Sequence, residues 1–265
     1  MIIDTMLQAA IAAAEVILDV YSRPIAAEAK SDGSPVTEAD GRAEAVILEW
    51  LAPLGIPVLA EESVAAGRIP ELGSRFFVVD PLDGTKEFLK RNGEFTVNIA
   101  LVEGRAPRQG VVLAPVTGAI YWTSAAGAMT GTVVDGTITA ARLISASAHE
   151  PLRIVASRSH GHAALSELCS QMNVVEDVSV GSSLKFCLLA EGKAQLYPRF
   201  TPTSEWDTAA GQAVLEAAGG AVLDLDGAPL ECGHAEKAYL NSFFIAAGNH
   251  KLAVRAADIM RRLLG

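Results

Sequence analysis

An apolar run, Phe76-Phe77-Val78-Val79, leads directly into Asp80-Pro81-Leu82-Asp83-Gly84-Thr85. The run reads as a buried strand. Its end therefore carries two carboxylates three positions apart, followed by a glycine and a hydroxyl. Pro81 fixes one backbone torsion between the acids, which can hold both on one side of the turn. Gly84 allows close approach of backbone to a ligand, and the N–H groups after it can cradle a phosphate. Hard divalent cations take oxygen ligands, and Mg²⁺ binds through one or two carboxylates plus substrate phosphates. Pro, Asp and Gly also build ordinary surface turns, so the loop needs partners elsewhere before it implies chemistry.

Three further acids supply candidates. Glu61 follows the short strand Pro57-Val58-Leu59-Ala60, in a pair with Glu62 that also suits a solvated loop. Asp207 and Asp40 each begin a predicted helix, where Asp is a favoured N-cap. Glu61, Asp80, Asp83 and Asp207 all fall at element ends, where side chains converge on one crevice. Carboxylates that bridge two metal ions are a standard device for phosphoester hydrolysis.

The rest of the chain divides in two. Met1 to Tyr21 is predicted as an amphipathic helix with Leu7, Ala10, Ile11, Ala14, Ile17, Leu18 and Tyr21 on one stripe. Asp4, Glu15 and Asp19 interrupt it, and it lacks the basic flank of a signal peptide. Its apolar face suits either a protein core or a lipid surface, although its acidic polar face disfavours an anionic bilayer. Ala26 to Thr37 reads as extended or looped, with Gly33 and Pro35 as breakers. A second helix is predicted from Thr37 to about Leu51, with Ala43, Val46, Ile47, Trp50 and Leu51 as its apolar positions. Strands follow at 95–102, 110–114, 120–122 and 129–134, with turns at Glu103-Gly104 and Asp135-Gly136. From about residue 150 strands and helices alternate: strands near 153–156, 174–180, 195–197, 221–224 and 243–247, helices near 163–172, 184–190, 208–218 and 252–264. This predicts an N-terminal α+β lobe over 1–145 and a C-terminal α/β lobe over 146–265.

The 265 residues suffice for one large core or two lobes. A net charge of −10 argues against nucleic-acid binding, which needs a basic face. An anionic substrate would need bound metal or local Lys and Arg to invert that field. Cys169, Cys187 and Cys232 are sparse and widely spaced, which suits a reducing, cytoplasmic setting and no zinc ribbon. No apolar run reaches transmembrane length.

Four blocks, in order, resemble the inositol monophosphatase superfamily. They are Ser34-Pro35-Val36-Thr37-Glu38-Ala39-Asp40, Ala60-Glu61-Glu62-Ser63, Val79 to Phe88, and Trp206-Asp207-Thr208-Ala209-Ala210-Gly211 through Gly220. The resemblance implies an α/β fold, a layered α-β-α-β-α sandwich, and a Mg²⁺-dependent, Li⁺-sensitive phosphatase. It further implies that Glu61, Asp80 and the Leu82 carbonyl hold one ion. Asp80, Asp83 and Asp207 would hold a second, and Glu61 with waters a weaker third. Thr85, oriented by Asp40, would help deprotonate the attacking water. Gly84 and Thr85 N–H groups, with the following helix, would bind the phosphate.

Within the superfamily, Asp83-Gly84-Thr85-Lys86-Glu87-Phe88 and Gly181-Ser182-Ser183-Leu184-Lys185-Phe186-Cys187 look like the 3'(2'),5'-bisphosphate nucleotidase branch. Arg199 falls where inositol-type enzymes tend to carry an acid that accepts hydrogen bonds from sugar hydroxyls. A guanidinium cannot accept, but pairs bidentately with phosphate. Gly84, Thr85, Lys86, Ser182, Ser183, Lys185, Arg199 and Glu205 are the expected substrate contacts. Ser182 and Ser183 also suit a helix cap, and the lysines suit solvated helix ends. The implied reaction is hydrolysis of adenosine 3',5'-bisphosphate, a by-product of sulfate assimilation, to AMP and phosphate. Inositol phosphates or fructose 1,6-bisphosphate at the same site remain open, as does a non-catalytic nucleotide sensor. The Asp40–Thr85 pair disfavours the sensor, which needs no apparatus for activating water. The branch is compatible with a monomer or homodimer, and with peripheral contact at the inner membrane.

Overall fold

The structure is a computed structural model that describes residues 1–24, 27–29, 35–156 and 163–264. Ser34 of the first block therefore lies outside the described residues. The chain opens with α1 (Ile2–Tyr21), β1 (Ala27–Ala29), β2 (Pro35–Thr37) and α2 (Glu38–Leu51). There follow β3 (Val58–Ala60), α3 (Glu61–Ala65), β4 (Arg75–Asp83), α4 (Thr85–Leu89), β5 (Thr96–Glu103), β6 (Ala106–Leu113), β7 (Ala119–Ser124), β8 (Gly127–Val134) and β9 (Thr137–Leu143). The second half runs β10 (Leu152–Ile154), α5 (Ala163–Met172), β11 (Val174–Asp177), α6 (Leu184–Ala190), β12 (Leu196–Arg199), β13 (Thr203–Ser204) and α7 (Ala209–Ala217). It ends with β14 (Ala221–Asp224), β15 (Leu240–Asn241), β16 (Phe244–Ala247) and α8 (His250–Leu264).

A seven-stranded sheet is ordered β3-β4-β5-β6-β7-β8-β9, and a five-stranded sheet β11-β10-β12-β16-β14. In the first, only β3 and β4 run parallel; the others form an antiparallel meander. Alternate residues of β4 and β5 serve different layers, as the two-residue period of a strand requires. Phe77, Val79, Ile99 and Leu101 pack under α1 and α2. Phe76, Val78, Ala100 and Val102 face α6, α7 and the inner side of the second sheet through Tyr197, Val222 and Phe244. The outer side of that sheet, with Ile154, Leu196 and Ile245, is covered by α5 and α8. The layers are thus α-β-α-β-α.

Gly211 lets α7 approach α6 closely within the middle helical layer. A Cβ there would lie 2.6 Å from the Phe186 ring. The lobe boundary expected at 145/146 falls in the connection between β9 and β10, while the middle core draws on both halves.

Of the two surfaces open to α1, the structure uses the core: Leu7, Ala10, Ile11, Ala14 and Ile17 are buried against α2 and the first sheet. Among the described residues no helix is long and apolar enough to cross a membrane. Trp50, expected on the apolar face of α2, is 42% exposed, because Ala43, Ile47 and Leu51 already fill the contact with α1. Of the two readings of 26–37, the extended one holds where β1 and β2 pair antiparallel.

Candidate active site

β4 lies second in the first sheet, and its last residues bulge away from β5 between Asp80 and Asp83. The bulge breaks the strict alternation. Asp80 Oδ1 accepts the Leu82 N–H at 2.9 Å, which closes the turn around Pro81. Gly84 follows with φ 97°, in the left-handed region, and a Cβ there would sit 3.2 Å from the Glu94 carbonyl oxygen. The sharp turn into α4 therefore requires glycine.

Asp207 arrives from the other half of the chain. It lies in a single 3₁₀ turn, Glu205–Asp207, just before α7. Its Oδ2 accepts Thr203 Oγ and, at 3.1 Å, the Ser204 N–H. Asp207 is not the N-cap expected: Ser204 caps that turn, and Asp207 is the third residue of its capping box. One carboxylate oxygen from each of Asp80, Asp83 and Asp207 lies within 4.8 Å of the others. Glu61 stands outside this group, at the start of α3, but its charge reaches Asp80.

Burial first, and then the charges of Glu61, Asp83 and Asp207, push the Asp80 carboxyl well above its ordinary range. Burial and the Asp83 charge push Asp207 up to about 6. Three mutually repelling carboxylates in a buried pocket are the donor set of a hard divalent cation, which would relieve both effects. The residues present therefore fit Mg²⁺.

Asp40 is 2% exposed on the first turn of α2. Its Oδ2 accepts the Thr37 N–H at 2.8 Å and Thr37 Oγ–H at 2.7 Å. Its Oδ1 lies 3.1 Å from Thr85 Oγ, which also approaches the Leu82 carbonyl at 3.4 Å. The hydroxyl has one proton to donate, so bonding to Asp40 leaves its lone pairs facing outward.

A cleft of about 190 Å³ opens over the acids. Gly84, Lys86, Glu87, Ser182, Lys185 and Arg199 line it together with Asp83 and Asp207. Lys86 is exposed at its rim. Arg199 is held by the Thr201 and Pro202 carbonyls at 3.1 and 3.3 Å, and no carboxylate of the described residues pairs with it. Lys185 is 7% exposed, and burial lowers its pKa.

Two expected substrate contacts, Glu205 and Ser183, do not line this cleft. Glu205 is fully buried, and its carboxylate accepts the Gly233 and His234 N–H groups at 2.6 and 2.8 Å. It anchors the 233–234 segment and does not reach the cleft, because the 3₁₀ turn points neighbouring side chains in different directions. Ser183 is likewise buried beneath the cleft. Its N–H and Oγ reach Asp83 Oδ2 at 2.7 and 2.8 Å, so it braces that carboxylate.

Sequence reasoning missed Glu44 and Asn98. Glu44, one turn after Asp40, accepts the Glu62 N–H at 2.8 Å and Ser63 Oγ–H at 2.6 Å, fixing the start of α3 and hence Glu61. Its signal is an acid four residues from Asp40 on the face that also carries Ala43 and Ile47. Asn98 Nδ2 reaches Ser183 Oγ at 2.9 Å and Asp83 Oδ2 at 3.4 Å. An asparagine inside the apolar strand Thr96–Glu103 was its only signal.

A layered α-β-α-β-α fold with clustered acids at a strand end defines a recognisable class. The chain matches the inositol monophosphatase family over residues 2–263 and belongs to it. Among curated relatives, a protein of Shigella flexneri named 3'(2'),5'-bisphosphate nucleotidase CysQ is 47% identical over 233 residues, covering 86% of this chain and 93% of that protein. The protein of the same name from Buchnera aphidicola is 37% identical, covering 92% of this chain and 93% of the relative. Among solved structures, CysQ from Bacteroides thetaiotaomicron superimposes with a TM-score of 0.75 at 39% identity, over 92% of this chain and 96% of that one. The inositol monophosphatase of Thermotoga maritima shares the fold, with a TM-score of 0.75 at 21% identity and 98% coverage of both chains.

Proposed function

We propose that this protein is a Mg²⁺-dependent 3'(2'),5'-bisphosphate nucleotidase that hydrolyses adenosine 3',5'-bisphosphate to AMP and phosphate. The observation that carries the reading is the pairing, in one cleft, of clustered acids with a guanidinium that forms no ion pair among the described residues. The acids suit metal and the scissile phosphate. Arg199 suits a second phosphate, which an inositol monophosphate lacks. The curated relatives carrying the same activity in their names support this choice.

Asp80, Asp83 and Asp207, with Glu61 and the Leu82 carbonyl, would hold two or three ions. When bound, Mg²⁺ supplies Lewis acidity that acidifies water and neutralises charge on the phosphoryl oxygens. Asp40 accepts the Thr85 hydroxyl proton, which orients the Thr85 lone pairs to receive a proton from the attacking water. The N–H groups of Gly84 and Thr85 would orient the phosphate, and α4, at five residues, adds little dipole of its own. Lys86 at the rim would draw in the anionic substrate against the overall charge of −10. The three free cysteines support a reducing, cytoplasmic setting for the reaction.

The test is phosphorus NMR of adenosine 3',5'-bisphosphate turnover with Mg²⁺, with EDTA, and with Mg²⁺ plus Li⁺. The reading predicts loss of the 3' ester signal with the 5' ester retained, abolished by EDTA and slowed by Li⁺. Turnover that persists in EDTA, or attack at the 5' ester, would refute it.

A further inference from the structure

Lys185 is a buried cation without a carboxylate within ion-pair distance among the described residues. Its Nζ donates to the Ser182 carbonyl at 2.6 Å and approaches the Val180 carbonyl at 3.5 Å. The Tyr197 ring centroid lies 5.6 Å away. A buried charge held this way is costly unless negative charge compensates it nearby.

The peptide unit joining Ser182 to Ser183 supplies the link. Its carbonyl receives the Lys185 ammonium at 2.6 Å, and its N–H donates to Asp83 Oδ2 at 2.7 Å. A peptide is planar and rigid, so the two bonds are fixed relative to each other. Hydrogen bonds in a chain polarise one another. The ammonium draws electron density towards the carbonyl and makes the N–H on the far side a stronger donor. Ser182 adopts φ 45°, uncommon for a residue with a side chain, and both bonds hold the peptide in the orientation that follows. Ser183 Oγ and Asn98 Nδ2 converge on the same Asp83 Oδ2. Asp83 Oδ1 has no hydrogen-bond donor among the described residues and is left for a cation.

We propose that Lys185 is a positioning residue for Asp83, acting through the Ser182–Ser183 peptide, and that Arg199 alone of the two cations serves the anchoring phosphate. This rests on the reading of the acids as a metal site. It assigns Lys185 a different role from the substrate contact its place in the cleft suggests.

The sign of one effect separates the two roles. By Coulomb's law alone, removing a cation near the acids should tighten metal binding. Loss of the peptide bridge should weaken it instead, by about tenfold, the scale seen when a group supporting a metal ligand is lost.

The experiment is calorimetric titration of Mn²⁺ into the substrate-free protein, comparing the unaltered chain with Lys185→Met, Ser183→Ala and Arg199→Gln. The expected result is about tenfold weaker binding for Lys185→Met and Ser183→Ala, with no weakening for Arg199→Gln. Should Lys185→Met not fold, as judged by its melting curve, Lys185→Gln carries the same comparison. A second readout is turnover at limiting and at saturating Mg²⁺. Lys185→Met should lose activity on adenosine 3',5'-bisphosphate and on 3'-AMP alike, and recover both at saturation. Unchanged or tighter Mn²⁺ binding in the Lys185 variant, or a loss confined to KM for the bisphosphate, would overturn the bridge. Failure of the unaltered protein to bind Mn²⁺ would overturn the metal reading itself, and the bridge with it.

Discussion

Asp207 and Asp80 sit where burial and neighbouring carboxylates both oppose ionisation. For Asp207 the ordinary value of 3.8 moves up to about 6, and Asp80 moves in the same direction. The folded, metal-free protein therefore holds protons here that the unfolded chain releases. Stability from Asp207 is fully present below about pH 4 and is lost as pH rises through about 6, and the Asp80 contribution runs in the same direction. Metal reverses the trend, because a cation favours the ionised acids. Melting curves across this window should fall with rising pH in EDTA, and the gain on adding Mg²⁺ should grow over the same range. At the Asp40–Thr85 pair, Thr85→Ala should lower kcat by about 10²–10⁴-fold while leaving Mn²⁺ affinity unchanged. Single-turnover rates and calorimetry together check it.

At the scale of elements, the site depends on short segments braced by long ones. Glu44 on α2 holds the start of α3 through two hydrogen bonds. Glu44→Gln should cost about 1–3 kcal/mol, since buried partners lose a charged acceptor. It should also weaken metal binding by loosening Glu61; denaturant titration and calorimetry read the two effects. Gly211→Ala places a methyl against the Phe186 ring and should cost about 1–3 kcal/mol by overpacking, seen as a lower Tm. The elements legible in the sequence were those with an apolar run or a sustained apolar period: α1, α2, α5 to α8, β3 to β8, β10 to β12, β14 and β16. β9 was not, because all but one of its residues are exposed and Thr-Ile-Thr-Ala-Ala-Arg-Leu shows no buried face. α3 and α4, at five residues each, and β13 and β15, at two, are too short to carry a period. The acids were legible because motif and element end coincide. The supporting roles of Ser183, Asn98 and Glu44 were not, since each depends on a partner distant in the chain, Ser183 and Asp83 being 100 residues apart.

The whole molecule joins its halves through the central helices. Phe76, Val78, Ala100 and Val102 of the first sheet have their cover in α6, α7 and the second sheet. A fragment ending near residue 145 would expose that face, and should neither melt cooperatively nor stay monomeric; circular dichroism and sedimentation test this. The same architecture explains why the acids meet: Asp80 and Asp83 come from the first sheet, and Asp207 from the turn entering the shared layer. This junction is suited to a substrate with two phosphates. That fit is tested most directly by kcat/KM with Mg²⁺ for adenosine 3',5'-bisphosphate against inositol 1-phosphate. The account predicts a preference of about 100-fold or more for the nucleotide, the discrimination expected when a cation built to pair with phosphate is left without it. Equal rates, or a preference for the inositol ester, would contradict it.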